Sequence, residues 1–405
     1  MRPVYRPTTC FLNELNMNPF KELFLLDPSV VFLNHGSFGA CPRPVFEAYQ
    51  TWQRQLERQP VLFLGREFPQ LGRQAREALA AFLETDAGNL VFIPNATFGV
   101  NAVARSLTLG AEDEILTTDQ EYGACNYAWD FVSSKSGAKV IRRPIDLPKT
   151  KDAGIIVDQL WQGVTPRTKA IYLSHITSPT ALRLPVERIC ARARQAGILT
   201  IIDGAHAPGQ IPLNLEAIGA DFYFGNLHKW ALSPKGAAFL YARPKVQDLM
   251  EPLIVSWGYR ATAEKTTGST FLDYYLWTGT LDPAAYLSVP AAIRFMADYH
   301  WDQVRRRCHD LLRPAIRRIC ELVGLKPPYP LDSDLYGQMG VAPLPADTDL
   351  EALKARLYTD HNVEVPLTEW NGQKFVRISV QAYNTQKDLE VLCDGLKALL
   401  PQVRR

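Results

Sequence analysis

The chain has 405 residues, 47% hydrophobic and 21% charged, with a formal net charge of +2 at pH 7. That length suits two domains, the balance is that of an ordinary soluble globular protein, and the small charge argues against nucleic-acid or membrane-surface partners. No run is long enough to span a bilayer, and Met1 to Asn18 carries Asn, Glu and Pro instead of a signal-peptide core. Seven cysteines (10, 41, 125, 190, 308, 320, 393) are scattered without CxxC spacing, which is the expectation for a reduced, cytoplasmic protein.

In chain order, Leu90-Val-Phe-Ile-Pro94 predicts a strand before a helix from Thr97 through Ser106. Ile115-Leu-Thr-Thr118 predicts a strand before another helix, and Ala170 to His175 a third strand. Pro185-Val186 opens a helix with Ile189, Cys190, Ala193 and Ala196 on one face, and Gly197 stops it. Strand, helix, strand in succession predicts an α/β fold, a mostly parallel sheet covered on both faces. After Trp277 the character shifts: residues 283–300 look helical, and Asp302 to Leu325 reads as a basic amphipathic helix with Arg305-Arg306-Arg307 on its solvated face. Phe375 to Val380 alternates, with Arg377 and Ser379 opposite Val376, Ile378 and Val380. Thr385-Gln-Lys-Asp388 resembles a capping box before a terminal helix. The expected division is an N-terminal segment over 1–30, a large domain over 31–279 and a smaller α+β domain over 280–405.

Two apolar runs stand out because one ends in an acid and the other in a lysine. They are Ile198-Leu-Thr-Ile-Ile-Asp203 and Asp221-Phe-Tyr-Phe-Gly-Asn-Leu-His228-Lys229. Each looks like a buried strand delivering a polar group at its carboxyl end, where ligands sit in such sheets. A fixed carboxylate beside an amine suits pyridoxal phosphate, which needs a lysine for its Schiff base and an acid to keep its ring nitrogen protonated. Apolar neighbours disfavour the charged lysine and keep some amine free to react.

Further candidates surround this pair. Asn95-Ala96-Thr97 lies between a strand and a helix, where free N–H groups form a phosphate site. Tyr122 follows the Ile115 strand and is placed to lay a ring over the cofactor; His206 lies three residues beyond Asp203. Asp203 and His206 alternatively form half of a metal site with His175 or His228, although HxxxH and HExxH spacings are absent. There is no GxGxxG after a strand, no GxxxxGK[ST] and no GxSxG.

Asp203-Gly-Ala-His-Ala-Pro-Gly209, Gly225-Asn-Leu-His-Lys229, Trp277-Thr-Gly-Thr280 and Val376-Arg-Ile-Ser379 resemble the class V aminotransferase family. That resemblance implies a pyridoxal-phosphate enzyme of the type I fold. Leu33-Asn-His-Gly-Ser-Phe-Gly39 and Ser174-His-Ile-Thr-Ser-Pro-Thr180 are most similar to the isopenicillin N epimerase group. The resemblance assigns Lys229 as the Schiff-base lysine and Asp203 as partner of the ring nitrogen. It places Tyr122 on the ring face and His206, with Ser178, near the phenolic oxygen. Ala96, Thr97 and Asn226 would hold the phosphate, with Asn226 where many relatives have serine. Thr280 would reach the phosphate of a neighbouring subunit, implying a homodimer with shared sites. Arg377 would clamp the substrate α-carboxylate, and Asn34, His35 and Tyr259 would line the substrate side.

The implied substrate is an amino acid or a derivative, its α-proton taken by Lys229. Return of a proton to the opposite face gives an epimer and needs a second acid, for which Tyr122, His35 and Tyr259 are candidates. Expulsion of a β-thiol gives a C–S lyase; protonation at the cofactor carbon gives a transaminase. Desulfurases of the family use a loop cysteine, but residues 327–345 contain none, so the expected activity is epimerase-like, with C–S lyase next. A metal-dependent hydrolase and a non-catalytic scaffold are the readings from other classes.

Overall fold

The computed structural model describes residues 18–264 and 266–404. Its main sheet has seven strands: β2 (Leu90–Ile93), β3 (Glu114–Thr118), β4 (Lys139–Arg143), β5 (Thr168–Ser174), β6 (Leu199–Asp203), β7 (Phe222–Asn226) and β8 (Ala238–Ala242). They lie in the order β2-β8-β7-β6-β5-β3-β4. From β7 through β4 all neighbours are parallel; β8 runs antiparallel to both β7 and β2. Every residue of β3, β7 and β8 is buried, which is why these strands read as unbroken apolar runs instead of alternating. The helices Ala96–Ser106, Gly123–Ser136 and Val186–Gln195 form where the sequence predicts them. Val186–Gln195 buries Val186, Ile189, Cys190 and Ala193, while Ala196 lies exposed past its end.

The C-terminal portion carries β9 (Met339–Leu344), β11 (Leu367–Trp370) and β12 (Gln373–Ser379), antiparallel in the order β11-β12-β9. The helices Trp301–Val323 and Gln386–Leu399 accompany them, the second opening with the expected capping box: Thr385 and Asp388 exchange side-chain and backbone bonds. A two-residue strand β1 (Val31–Phe32) pairs in parallel with β10 (Val363–Glu364), tying this segment to the C-terminal portion. Asn18 and Lys21 add to that tie, donating to Ala382 O at 2.6 Å and to Asp388 at 3.3 Å.

Three expectations change. The helix expected over 283–300 is two, Ala284–Leu287 and Val289–Asp298, because the second restarts at Ser288 with Pro290 in its first turn. Of the arginine run only Arg306 is exposed: Arg305 pairs with Asp302, and Arg307 donates to Ala382 O and Asn384 O, both at 3.0 Å. The strand around Arg377 is buried on both faces, so Arg377 and Ser379 point into the protein. Among the described residues no helix is long and apolar enough to cross a membrane.

Candidate active site

Lys229 lies just past the end of β7, and its position is set by the backbone around it. Its carbonyl accepts from Leu232 N at 3.2 Å and from the His35 ring at 3.0 Å. Gly39, at φ +71°, seats the Asn34–Gly39 turn directly on this loop; a Cβ there would lie 2.0 Å from His228 O. The Lys229 amine faces His206 Nε2 at 3.3 Å. Burial first, and then the charge of Arg377, lower its pKa to about 8, with Asp203 opposing. A minor fraction of the amine is therefore uncharged near neutral pH, far more than for an ordinary lysine.

Asp203 ends β6 and pairs in register with Ser174 of β5 and Phe224 of β7. Its Oδ1 accepts from Ala205 N at 2.8 Å, and its Oδ2 from the Tyr172 hydroxyl at 3.3 Å and the Cys125 thiol at 3.5 Å. Burial raises its pKa; the Ala205 bond and the Lys229 charge pull the other way. Among the described residues the carboxylate has no ion-pair partner within 4 Å, so only neutral donors hold it. His206 follows in the same turn. Its Nδ1 accepts from the Trp230 indole at 3.3 Å, and burial, then Lys229 and Arg377, push its pKa well below the usual value.

Arg377 reaches this group from β12. It is 5% exposed, donating to Ser178 O at 2.7 Å, Ser178 Oγ at 2.9 Å and Ser37 Oγ at 3.2 Å. Its Nε has no partner, and among the described residues no carboxylate pairs with it. Burial lowers its pKa to about 10, with the Tyr122 phenol opposing. A buried guanidinium without a counter-ion is costly, and a bound carboxylate would relieve it. Tyr122 itself, at the start of helix Gly123–Ser136, is 51% exposed, unlike a core tyrosine.

At the far side, the Ala96 N–H donates to Asn226 Oδ1 at 2.9 Å, and Asn95 Oδ1 caps Phe98 N at 2.9 Å. Thr97 lies exposed on this first helical turn. The positive end of this eleven-residue helix, with Asn226 beside the Ala96 N–H and Thr97 exposed, is suited to an anion.

Not every predicted residue joins the group. His35 is fully buried, with Nδ1 on the Tyr383 hydroxyl at 3.0 Å and Nε2 on Lys229 O; burial takes its pKa to about 3. It stands behind the lysine's backbone rather than lining a substrate space. Asn34 is turned to Glu364 at 2.8 Å and to the Ser37 hydroxyl, and Ser178 serves Arg377. Tyr259 packs on Tyr274 and Arg260 in an exposed stretch, and Thr280 is exposed. For the metal alternative, His175 bonds to Tyr223 and His228 to Ala237 O. No group of three or more His, Cys, Asp or Glu among the described residues is placed to hold a metal.

Sequence reading misses four residues. Cys125 and Tyr172 hold Asp203, and Trp230 holds His206. Glu121, buried, accepts from Thr118 and Ser174 at 2.6 Å. Only Trp230, next to the lysine, carried a signal that would have found it.

The residues fit pyridoxal phosphate: a buried amine with a lowered pKa, a buried carboxylate free of ion pairs, a helix start for the phosphate and an unpaired guanidinium for a carboxylate. The family model for class V aminotransferases matches residues 39–392. The isopenicillin N epimerase of Amycolatopsis lactamdurans is 36% identical over 390 residues, covering 94% of this chain and 97% of that protein. The hercynylcysteine sulfoxide lyase of Schizosaccharomyces pombe is 26% identical over 392 residues, covering 95% and 98%. Among solved structures, a cysteine desulfurase from Thermococcus onnurineus NA1 superposes with a TM-score of 0.81 at 19% identity, covering 97% of this chain and all of that one. The chain belongs to the class V aminotransferase family, and its cofactor is pyridoxal phosphate.

Proposed function

We propose that this enzyme inverts the configuration at the α-carbon of an amino acid or amino-acid derivative, as an isopenicillin N epimerase-like protein. The observation that carries this reading is the buried amine of Lys229, which faces His206 at 3.3 Å and whose charged form is disfavoured by burial and by the charge of Arg377. Bound here, pyridoxal phosphate supplies an electron-poor ring that takes up the electron pair left at the α-carbon. Asp203 would hold its ring nitrogen, the helix start at Ala96 and Thr97 with Asn226 its phosphate, and His206 the edge nearest Lys229.

The chain's own residues then divide the work. Arg377 binds the substrate carboxylate, and Ser37 and Ser178 fix its fork. The Lys229 amine removes the α-proton from one side. Inversion requires a proton from the other side, and Tyr122 is the half-exposed phenol, near enough to act on the charge of Arg377, that can give it. His35 does not serve, because both its ring nitrogens are engaged. We further propose that a second copy completes the site. Thr280 and Tyr259, exposed in this chain, would act there across a homodimer interface.

A second reading, C–S lyase, draws on the 26% identity to the hercynylcysteine sulfoxide lyase. It needs no second acid, so Tyr122 separates the two. The test is to incubate the loaded enzyme with single amino acids in deuterated water. Deuterium at the α-carbon with mixed configuration, abolished in Tyr122→Phe, supports inversion. Release of thiol with Tyr122→Phe unaffected supports the lyase. A protein that stays colourless with added pyridoxal phosphate would sink both.

A further inference from the structure

We infer that Trp230 is a positioning residue that locks His206 in its Nε2–H tautomer, so that His206 meets the cofactor as a hydrogen-bond donor and not as a base. The indole of Trp230 forces this choice. Its Nε1–H donates and never accepts, and it lies 3.3 Å from His206 Nδ1. That nitrogen must therefore carry a lone pair. A neutral imidazole has one donor and one acceptor, so the hydrogen sits on Nε2. The opposite tautomer would set two N–H groups against each other in a dry interior.

The surroundings keep the pair in register. Trp230 is wholly buried, its ring 5.0 Å from that of His35. Full burial in a close-packed interior leaves the indole little room to swing. The backbone of His206 is held in turn, its carbonyl accepting from Gln210 at 2.7 Å. Burial keeps the ring neutral, and the charged or titratable groups that face it are Lys229, Arg377 and His228. Nε2–H then points at the Lys229 amine, whose lone pair accepts it in the uncharged form that predominates above about pH 8. One consequence bears on the reaction: a ring already protonated on its inward face cannot take the α-proton. This leaves proton removal to Lys229 and the opposite face to Tyr122.

The tautomer does not depend on which reaction the enzyme runs; only its effect on the cofactor rests on the seat proposed above. The test begins with nitrogen-15 histidine-labelled, cofactor-free protein, with the His206 signals assigned from His206→Asn. A hydrogen-bearing Nε2 and a bare Nδ1 are expected at about pH 9, where Lys229 is mostly uncharged. Trp230→Phe should shift both nitrogens toward a mixture of tautomers. A hydrogen-bearing Nδ1 in the wild type, or a Trp230→Phe spectrum like the wild type's, overturns the proposal. If Trp230→Phe does not fold, the wild-type spectrum alone decides it. In loaded protein the pH midpoint of the lysine-linked colour should rise in Trp230→Phe by roughly half to one unit. A donor makes the cofactor's phenolic oxygen a poorer holder of the proton it shares with the lysine nitrogen. An unmoved midpoint would overturn the donor role at the cofactor.

Discussion

The candidate site at the strand ends and the exposed stretch that follows β8 are built on opposite principles. The Asp203–Lys229 side is sheet interior: β6 and β7 end there, and nearly every polar atom has a named partner. The stretch from Ile254 to Arg260 is largely surface, with Val255 67% and Trp257 79% exposed. Rigid strand ends hold reactive groups to fractions of an ångström, which covalent and proton-transfer chemistry needs. An open apolar surface holds nothing by itself and acquires order only when something covers it.

The sharpest test of the buried side is to remove its amine. Lys229→Met should lower turnover on the order of a thousandfold or more, because proton removal and the covalent link are lost together; steady-state rates check this. The same change should stabilise the cofactor-free protein. With a folded pKa of about 8 against an ordinary 10.5, the unfolded state binds more protons between these values, so stability rises with pH there. The penalty is whole below pH 8, and Met, which keeps the stem, should recover roughly 2–3 kcal/mol. Urea melts at pH 7 and 10 should show that gain shrinking. A destabilised Lys229→Met would mean the amine is not the strained element.

Arg377→Met should raise KM roughly 100- to 1000-fold while changing kcat far less, since it removes a charged fork from a bound carboxylate. Equal losses in kcat and kcat/KM would contradict a carboxylate clamp. Glu121 offers a smaller effect. Burial raises its pKa from 4.5 to about 7, against hydrogen bonds from Ser174 and Thr118. The folded state then holds the extra proton between these values. Stability from this group is present below pH 4.5 and falls as pH rises to 7, by on the order of 2–3 kcal/mol. Comparing wild type with Glu121→Gln across that window isolates the slope, and parallel curves would refute it.

How much of this was legible follows from geometry. Asp203 and Lys229 were readable because a buried strand announces itself as an apolar run and its end is a fixed place. Arg377 was readable as a cation in an apolar alternation, but its burial was not, because a single strand does not reveal that both its faces are covered. Cys125 and Tyr172 were invisible: they meet Asp203 from 78 and 31 residues away, and nothing local marks them. The arginine run misled because a helix turns about 100° per residue, sending Arg305, Arg306 and Arg307 to three different surroundings. His35 misled differently. The Asn34–Gly39 motif places it beside the lysine, and sequence adjacency does not say whether a ring faces the substrate or the backbone behind it.

The smallest expected effect falls on the surface side and decides what that side is for. Val255→Asp puts a charge at a position 67% exposed in the single chain. If the chain were the functional unit, stability, mass and turnover would all hold, with stability within about 0.5 kcal/mol as for most surface changes. If a second copy covers Ile254, Val255 and Tyr259, the same stability is expected in the separated chains. The buried aspartate would then cost the assembly its interface, and sedimentation velocity would show the mass halved. Turnover should fall with the mass if Tyr259 and Thr280 serve a neighbouring site. A halved mass with turnover intact would separate assembly from catalysis, and would leave the chemistry wholly to the sheet ends of one chain.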